Sequence, residues 1–214
     1  HHAEASSEAF SETLDWALRL IVLISMPATI GLMVLAEPLL ITLFQNQNFP
    51  LEDVVSSAGS LRAYAVGLLA FMGVKVFAPG FYARQDTATP VRIGVIAMSA
   101  NMVLNLLFYL GGWAHVGLAL ATSLAAYLNA GGLLLMLKRS DVLRLQPGWP
   151  RFLLQVLLAN VMLMIFVFYG SGSWSEWLDW SVLKQVVRLI FLVLAGVVIY
   201  LAVLFATGMR WSQF

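Results

Sequence analysis

Cysteine is missing from all 214 residues, which removes disulfides, thiolate nucleophiles and Cys-ligated zinc or iron–sulfur centres from the chemistry this chain can host. Charge is scarce too: Asp, Glu, Lys and Arg together make up 11% of the sequence, and histidine occurs only at His1, His2 and His115. None of these histidines stands near an internal pair of carboxylates, and the acids fall almost wholly in polar connections. A membrane-embedded acyl- or glycosyl-transferase is therefore not expected, and the chain reads as a non-enzyme. A Gly-rich phosphate loop or other nucleotide motif is lacking as well. There is no low-complexity tract and no convincing internal repeat.

What is present is apolar surface. Hydrophobic residues make up 61% of the chain and the mean hydropathy is +0.87, more than a soluble core of this size can hide. Six runs, at about 14–36, 61–82, 91–111, 116–137, 152–169 and 182–206, are each long enough to cross a bilayer as a helix of roughly 20 residues. None alternates in the way a membrane β-strand does. The expected fold class is all-α, a polytopic membrane protein with six transmembrane helices. Pro38-Leu-Leu-Ile-Thr-Leu-Phe44 reads as a short interfacial helix between the first two.

Cations mark the sidedness. Arg84 and Arg92 follow the second run, Lys138, Arg139, Arg144 and Arg151 the fourth, and Arg210 the sixth, whereas the intervening connections carry Glu37, Glu52, Asp53, Glu176 and Asp179. By the positive-inside rule the basic loops face the cytoplasm, which puts both chain ends there and requires an even number of spans. Arg62, Lys184 and Arg188 sit at outer span starts, where snorkelling accounts for them and an anionic headgroup is the alternative. Trp174, Trp177 and Trp180 in the same outer loop, with Trp149 in the basic inner one, read as an interfacial aromatic belt.

Several polar residues lie inside or beside the spans. Lys75 is roughly 10 Å from the inner end of the second one, a depth at which an ionisable group is costly unless it faces protein or water. It either lines a cavity or snorkels inward past Pro79. Arg84 and Asp86 suit a solvated loop ion pair or a gate, and Thr87 or Thr89 suits a helix cap ahead of Pro90. Asn101 and Asn105 share one helical face, Thr122 lies at the depth of Asn105 on the next span, and Asn129 shares the face of Thr122. Interhelical hydrogen bonding is the plain reading of these four. Gly117, Ala121 and Ala125 form a small-residue packing stripe, Pro27, Gly31, Gly67 and Gly73 suggest bendable helices, and Gln155 and Asn160 share no helical face.

Residues 78–91 read Ala-Pro-Gly-Phe-Tyr-Ala-Arg-Gln-Asp-Thr-Ala-Thr-Pro-Val, a polar loop clamped between two apolar runs. This loop resembles the cytoplasmic loop of the MurJ (MviN) family of bacterial flippases, in the MOP transporter superfamily. The likeness continues through Gly67 and Lys75 upstream and Gly117-Leu-Ala-Leu-Ala-Thr-Ser downstream. It implies the C-terminal part of a MOP-type two-lobe transporter that moves lipid II, the lipid-linked peptidoglycan precursor, across the bacterial cytoplasmic (inner) membrane by alternating access. Residues 1–138 would be a short cytoplasmic segment and four helices of the C-terminal lobe. Residues 139–214 would be a basic linker and two extra helices forming a lipid-facing groove. His1 and His2 would belong to the polar segment that precedes the corresponding helix in the family, and the stretch 45–49 departs from the glycine-bearing turn common there.

The resemblance also implies roles. Lys75, Arg84 and Asp86 would serve the substrate cavity or gate, with Lys75 attracting the lipid diphosphate, and Asn101, Asn105 and Thr122 would be candidate sodium ligands. No cofactor or metal beyond that sodium ion is expected. The partners would be lipid II, membrane lipids and the helices that precede this stretch in the transporter, with no nucleic acid. Against this stand a MOP-type exporter of drugs or other polyprenyl-linked sugars and a non-transporting structural membrane subunit.

Overall fold

The computed structural model describes residues 2–44 and 50–209, and the expectations concerning the turn at 45–49 and Arg210 fall outside them. Eight helices and no strands occur among the described residues: α1 His2–Val34, α2 Ala36–Phe44, α3 Leu51–Tyr82, α4 Ala88–Leu110, α5 Ala114–Arg139, α6 Trp149–Ser171, α7 Trp174–Leu178 and α8 Val182–Ala206. Six of them (α1, α3, α4, α5, α6 and α8) are long and apolar enough to cross a membrane. Their large side chains point outward: Leu110 and Leu183 are each 73% exposed, an arrangement that only a nonpolar solvent or further protein surface tolerates. The short helix expected at 38–44 is α2, with Pro38 and Ile41 on its buried face. Helix α3 starts ten residues ahead of the apolar run, at Leu51, because Val54 and Ala58 bury one helical stripe of an otherwise polar stretch.

The helices group into two units, with α1 and α3 contributing to both. The first takes the N-terminal residues through Ser25 together with Val66–Trp149. Its core is built from Leu14, Phe77, Phe81, Leu133, Leu137 and Leu143, with small alanines between them. Close approach is set by Gly67 on α3, where a Cβ would lie 2.5 Å from Ser123 Oγ, and by Gly117, where one would lie 2.6 Å from Phe108 Cβ. Ala121 and Ala125 are buried, so the Gly117, Ala121, Ala125 stripe packs as a small-residue seam.

Residue-level departures in this unit have simple causes. The non-helical part of the loop is shorter than 78–91, since α3 runs through Pro79 and Pro90 sits in the first turn of α4. Helix α3 closes with amides of Gln85 and Asp86 donating to the carbonyls of Tyr82 and Phe81, with Gln85 at φ +60°, and α5 closes the same way around Asp141 at φ +55°. Asp15 and Arg19 on α1 escaped the sequence reading, which weighed loop cations and Lys75. They form a buried ion pair at 2.9 Å. Asp15 Oδ1 also accepts the Gln146 amide at 3.1 Å and the Trp149 indole N–H at 2.7 Å, while Arg19 donates to the Pro147 carbonyl at 3.0 Å. Trp149 thus belongs to a polar latch, with its ring 5.4 Å from the Arg19 guanidinium.

The second unit comprises Met26–Ala65 and Pro150–Phe214. Val156, Leu163 and Val167 of α6 and Leu192 and Leu204 of α8 are buried, and Gly196 lets α8 approach Leu163 closely. Trp177 is fully buried rather than part of an interfacial belt: its indole donates to the Ser171 carbonyl at 2.9 Å and its own carbonyl accepts Gln185 Nε2 at 2.6 Å. Gln155 and Asn160 are also buried, Gln155 donating to the Thr207 carbonyl at 2.8 Å and Asn160 to that of Val156. Arg62 is tied to the Glu37 carboxylate and donates to the Met33 carbonyl at 2.9 Å, so its charge is met within the protein.

Candidate functional site

Helices α4 and α5 are joined by a tight turn in which Gly112 adopts φ +76° and its amide and that of Trp113 cap the last carbonyls of α4. The turn folds the two helices back along each other, and side chains equidistant from it meet. Asn105 Nδ2 donates to Asn101 Oδ1 at 3.0 Å, Asn101 Nδ2 reaches Thr122 Oγ1 at 3.4 Å, and the Thr122 hydroxyl donates to the Leu118 carbonyl at 2.9 Å. The structure therefore brings Asn101, Asn105 and Thr122 into one chain of hydrogen bonds between two membrane spans. Each side chain in that chain donates, yet Asn105 Oδ1 is buried with no partner, as is Asn129 Oδ1. An unpartnered buried carbonyl costs about 1–3 kcal/mol, so these oxygens are acceptors in search of a donor or a cation.

The donor set suits a small hard cation: amide, hydroxyl and main-chain oxygens, as in sodium sites of other transporters. All of these oxygens are neutral, so within this chain the set offers a cation dipoles and no formal charge. No cluster of three or more His, Cys, Asp or Glu side chains that could hold a metal occurs among the described residues.

Lys75, Arg84 and Asp86 lie apart from this chain of contacts, and no hydrogen bond or ion pair joins them to one another among the described residues. Lys75 is an exposed side chain of α3, without a carboxylate at ion-pair distance among the described residues. Arg84 is exposed in the turn after α3. Asp86 does not pair with it; instead its Oδ1 accepts the Thr89 amide at 3.0 Å, which caps α4. The Thr87 and Thr89 hydroxyls do not supply that cap, because Thr87 is the residue before the helix and has no side-chain capping bond. Hydrogen bonding by the Thr89 side chain and amide, with Arg92 nearby, holds the Asp86 carboxyl below its usual range.

Comparison with known proteins gives the same fold. The family model described as MurJ, lipid II flippase MurJ, matches residues 1–191. A probable lipid II flippase MurJ of Vibrio cholerae serotype O1 is 40% identical over 211 residues, covering 98% of this chain and 40% of that protein. Its counterpart in Haemophilus influenzae is 40% identical over 216 residues, covering 98% and 42%. A lipid II flippase MurJ of Burkholderia cenocepacia is 34% identical over 212 residues, covering 98% and 40%. The chain thus spans about two fifths of the length of these relatives. A solved structure, lipid II flippase MurJ in an inward closed conformation, matches with a TM-score of 0.75 at 21% identity, over 92% of this chain and 38% of that one.

Proposed function

Because this chain belongs to the lipid II flippase MurJ family, we propose that it is the C-terminal portion of a transporter that moves lipid-linked peptidoglycan precursor from the inner to the outer leaflet of the bacterial cytoplasmic membrane. The observation that carries this reading is the family match across residues 1–191, which includes five of the six spans and every candidate site residue. A charged sugar–diphosphate head cannot cross hydrocarbon unaided, since burying charge without partners is too costly. The transporter therefore supplies a hydrated cationic cavity and alternates its access between the two leaflets. Lys75, a charge in a membrane span with no carboxylate beside it, attracts the diphosphate as a compact cation. The work is transport, and no side chain here is assigned a covalent step.

The basic loops face the cytoplasm, as do both ends of this chain, and an inside-negative potential then favours outward movement of each anionic charge by about 2.3 kcal/mol per 100 mV. Helices α6 and α8 form the groove along which the prenyl tail stays in lipid. Asn105, with Asn101, Thr122 and the Leu118 carbonyl, would hold a sodium ion that links the ion gradient to the cycle; the unpartnered Asn105 oxygen supports this. The remaining helices of the transporter, which carry most of its cavity cations, are its nearest partners.

The test is an accessibility assay for lipid II on the outer membrane face of cells whose transporter carries this chain. Lys75→Ala in the intact protein is expected to let precursor accumulate inside; unchanged outward movement removes Lys75 from the mechanism, and unchanged movement on depletion of the whole protein overturns the flippase reading. Asn105→Leu is expected to abolish any sodium dependence of that movement, and retention of the dependence would rule out the ion site.

A further inference from the structure

The connection from α6 through α7 to α8 leaves a cavity of about 530 Å³ at the polar ends of two membrane spans. Lys184 and Arg188, one helical turn apart on α8, line it, and so does Glu176 on α7. Two arginines of other membrane spans each meet a carboxylate: Arg19 meets Asp15 and Arg62 meets Glu37. Here the opposite charges share a cavity without pairing. Arg188 donates to the Gly170 carbonyl at 2.7 Å, and Lys184 Nζ lies 4.1 Å from the Trp180 ring centroid. Both cations retain N–H donors for a further acceptor. The Glu176 side chain makes no hydrogen bond among the described residues.

Two cations and a separate anion around one cavity complement a zwitterion. A purely anionic headgroup would leave Glu176 facing like charge, and an uncharged amphiphile would leave both cations unmet. The rim adds exposed apolar surface, with Val187 at 58% and Phe191 at 53%, running down α8 away from the polar end. The geometry points to a binding site for a zwitterionic aminophospholipid: its phosphate is held by Lys184 and Arg188, its ammonium by Glu176, and its acyl chains lie over Val187 and Phe191. The volume suits one headgroup with part of its glycerol. This goes beyond the transport reading: the site lies on the helices proposed to form the tail groove, but it involves none of Lys75, Arg84, Asp86, Asn101, Asn105 and Thr122.

Native mass spectrometry of the intact polypeptide carrying this chain tests it, with the protein exchanged into micelles holding equal phosphatidylethanolamine and phosphatidylglycerol. The wild type is expected to retain phosphatidylethanolamine in preference. Lys184→Gln with Arg188→Gln should lower that retention by on the order of fivefold for each charge removed. Glu176→Gln should shift the preference toward phosphatidylglycerol. Inorganic phosphate, and a polyprenyl diphosphate standing for the substrate, should leave the retained lipid in place. Unchanged retention in the double variant, unchanged preference in Glu176→Gln, or displacement by either competitor would each overturn the assignment. Should the double variant unfold by circular dichroism, Glu176→Gln decides alone.

Discussion

Asp15 is 3% exposed and Arg19 9%, so their ion pair is held out of water and each charge depends on the other. Removing one partner strands the other, and Asp15→Ala is expected to cost about 3–5 kcal/mol, read as a lowered unfolding midpoint in detergent. Asp15→Leu combined with Arg19→Met should cost markedly less, because no unpaired charge remains. The four-residue spacing of this pair is plain in the sequence, yet its significance was not legible there. Spacing shows that two side chains on α1 can meet; it does not show that Gln146, Pro147 and Trp149 come to them from more than a hundred positions away. The same limit explains Trp177: a tryptophan near a span end reads as a membrane-interface residue until Ser171 and Gln185 are seen to enclose it.

At the scale of elements, the helix contacts are governed by where a side chain would not fit. A Cβ at Gly67 would meet Ser123 Oγ at 2.5 Å and Ser123 Cβ at 2.8 Å, whereas one at Gly31 would meet nothing within 4 Å. Gly67→Ala is therefore expected to destabilise the protein by about 1–3 kcal/mol through forced separation of α3 and α5. Gly31→Ala should be neutral or mildly stabilising, and thermal unfolding of the two variants side by side checks the contrast. Both glycines read alike in the sequence, as marks of a bendable helix. The six spans were legible because twenty apolar residues in a row have few other solutions. The start of α3 was not, since Glu52, Asp53 and three serines dilute the apolar stripe that Val54 and Ala58 bury.

At the scale of the whole molecule, these 214 residues hold no cysteine, so one introduced here reports sidedness once any thiol elsewhere in the intact protein is replaced. Arg84→Cys and Lys138→Cys, introduced singly into the intact protein, are expected to react with a membrane-impermeant maleimide only after the cell is opened, while Ser175→Cys should react from outside. Labelling of Arg84→Cys and Lys138→Cys from opposite sides would overturn the six-span topology. The polar seam of α4 and α5 was legible in part: two antiparallel helices joined by a short turn must align residues equidistant from it, but the residue that meets Thr122 is Asn101 rather than Asn105, whose depth was matched to it. The surroundings of Lys75 were not legible, because the relatives that this chain matches are more than twice its length.

The latch on α1 grips the segment after α5 by its main chain: Ser11 Oγ takes the Arg144 amide, Asp15 the Gln146 amide, and Arg19 the carbonyls of Gln146 and Pro147. The itinerary of that stretch is thus written largely in three residues far upstream, with Val142 and Leu143 as its own anchors in the core. Drift among its exposed side chains should preserve the route, whereas a single change at position 15 redraws it.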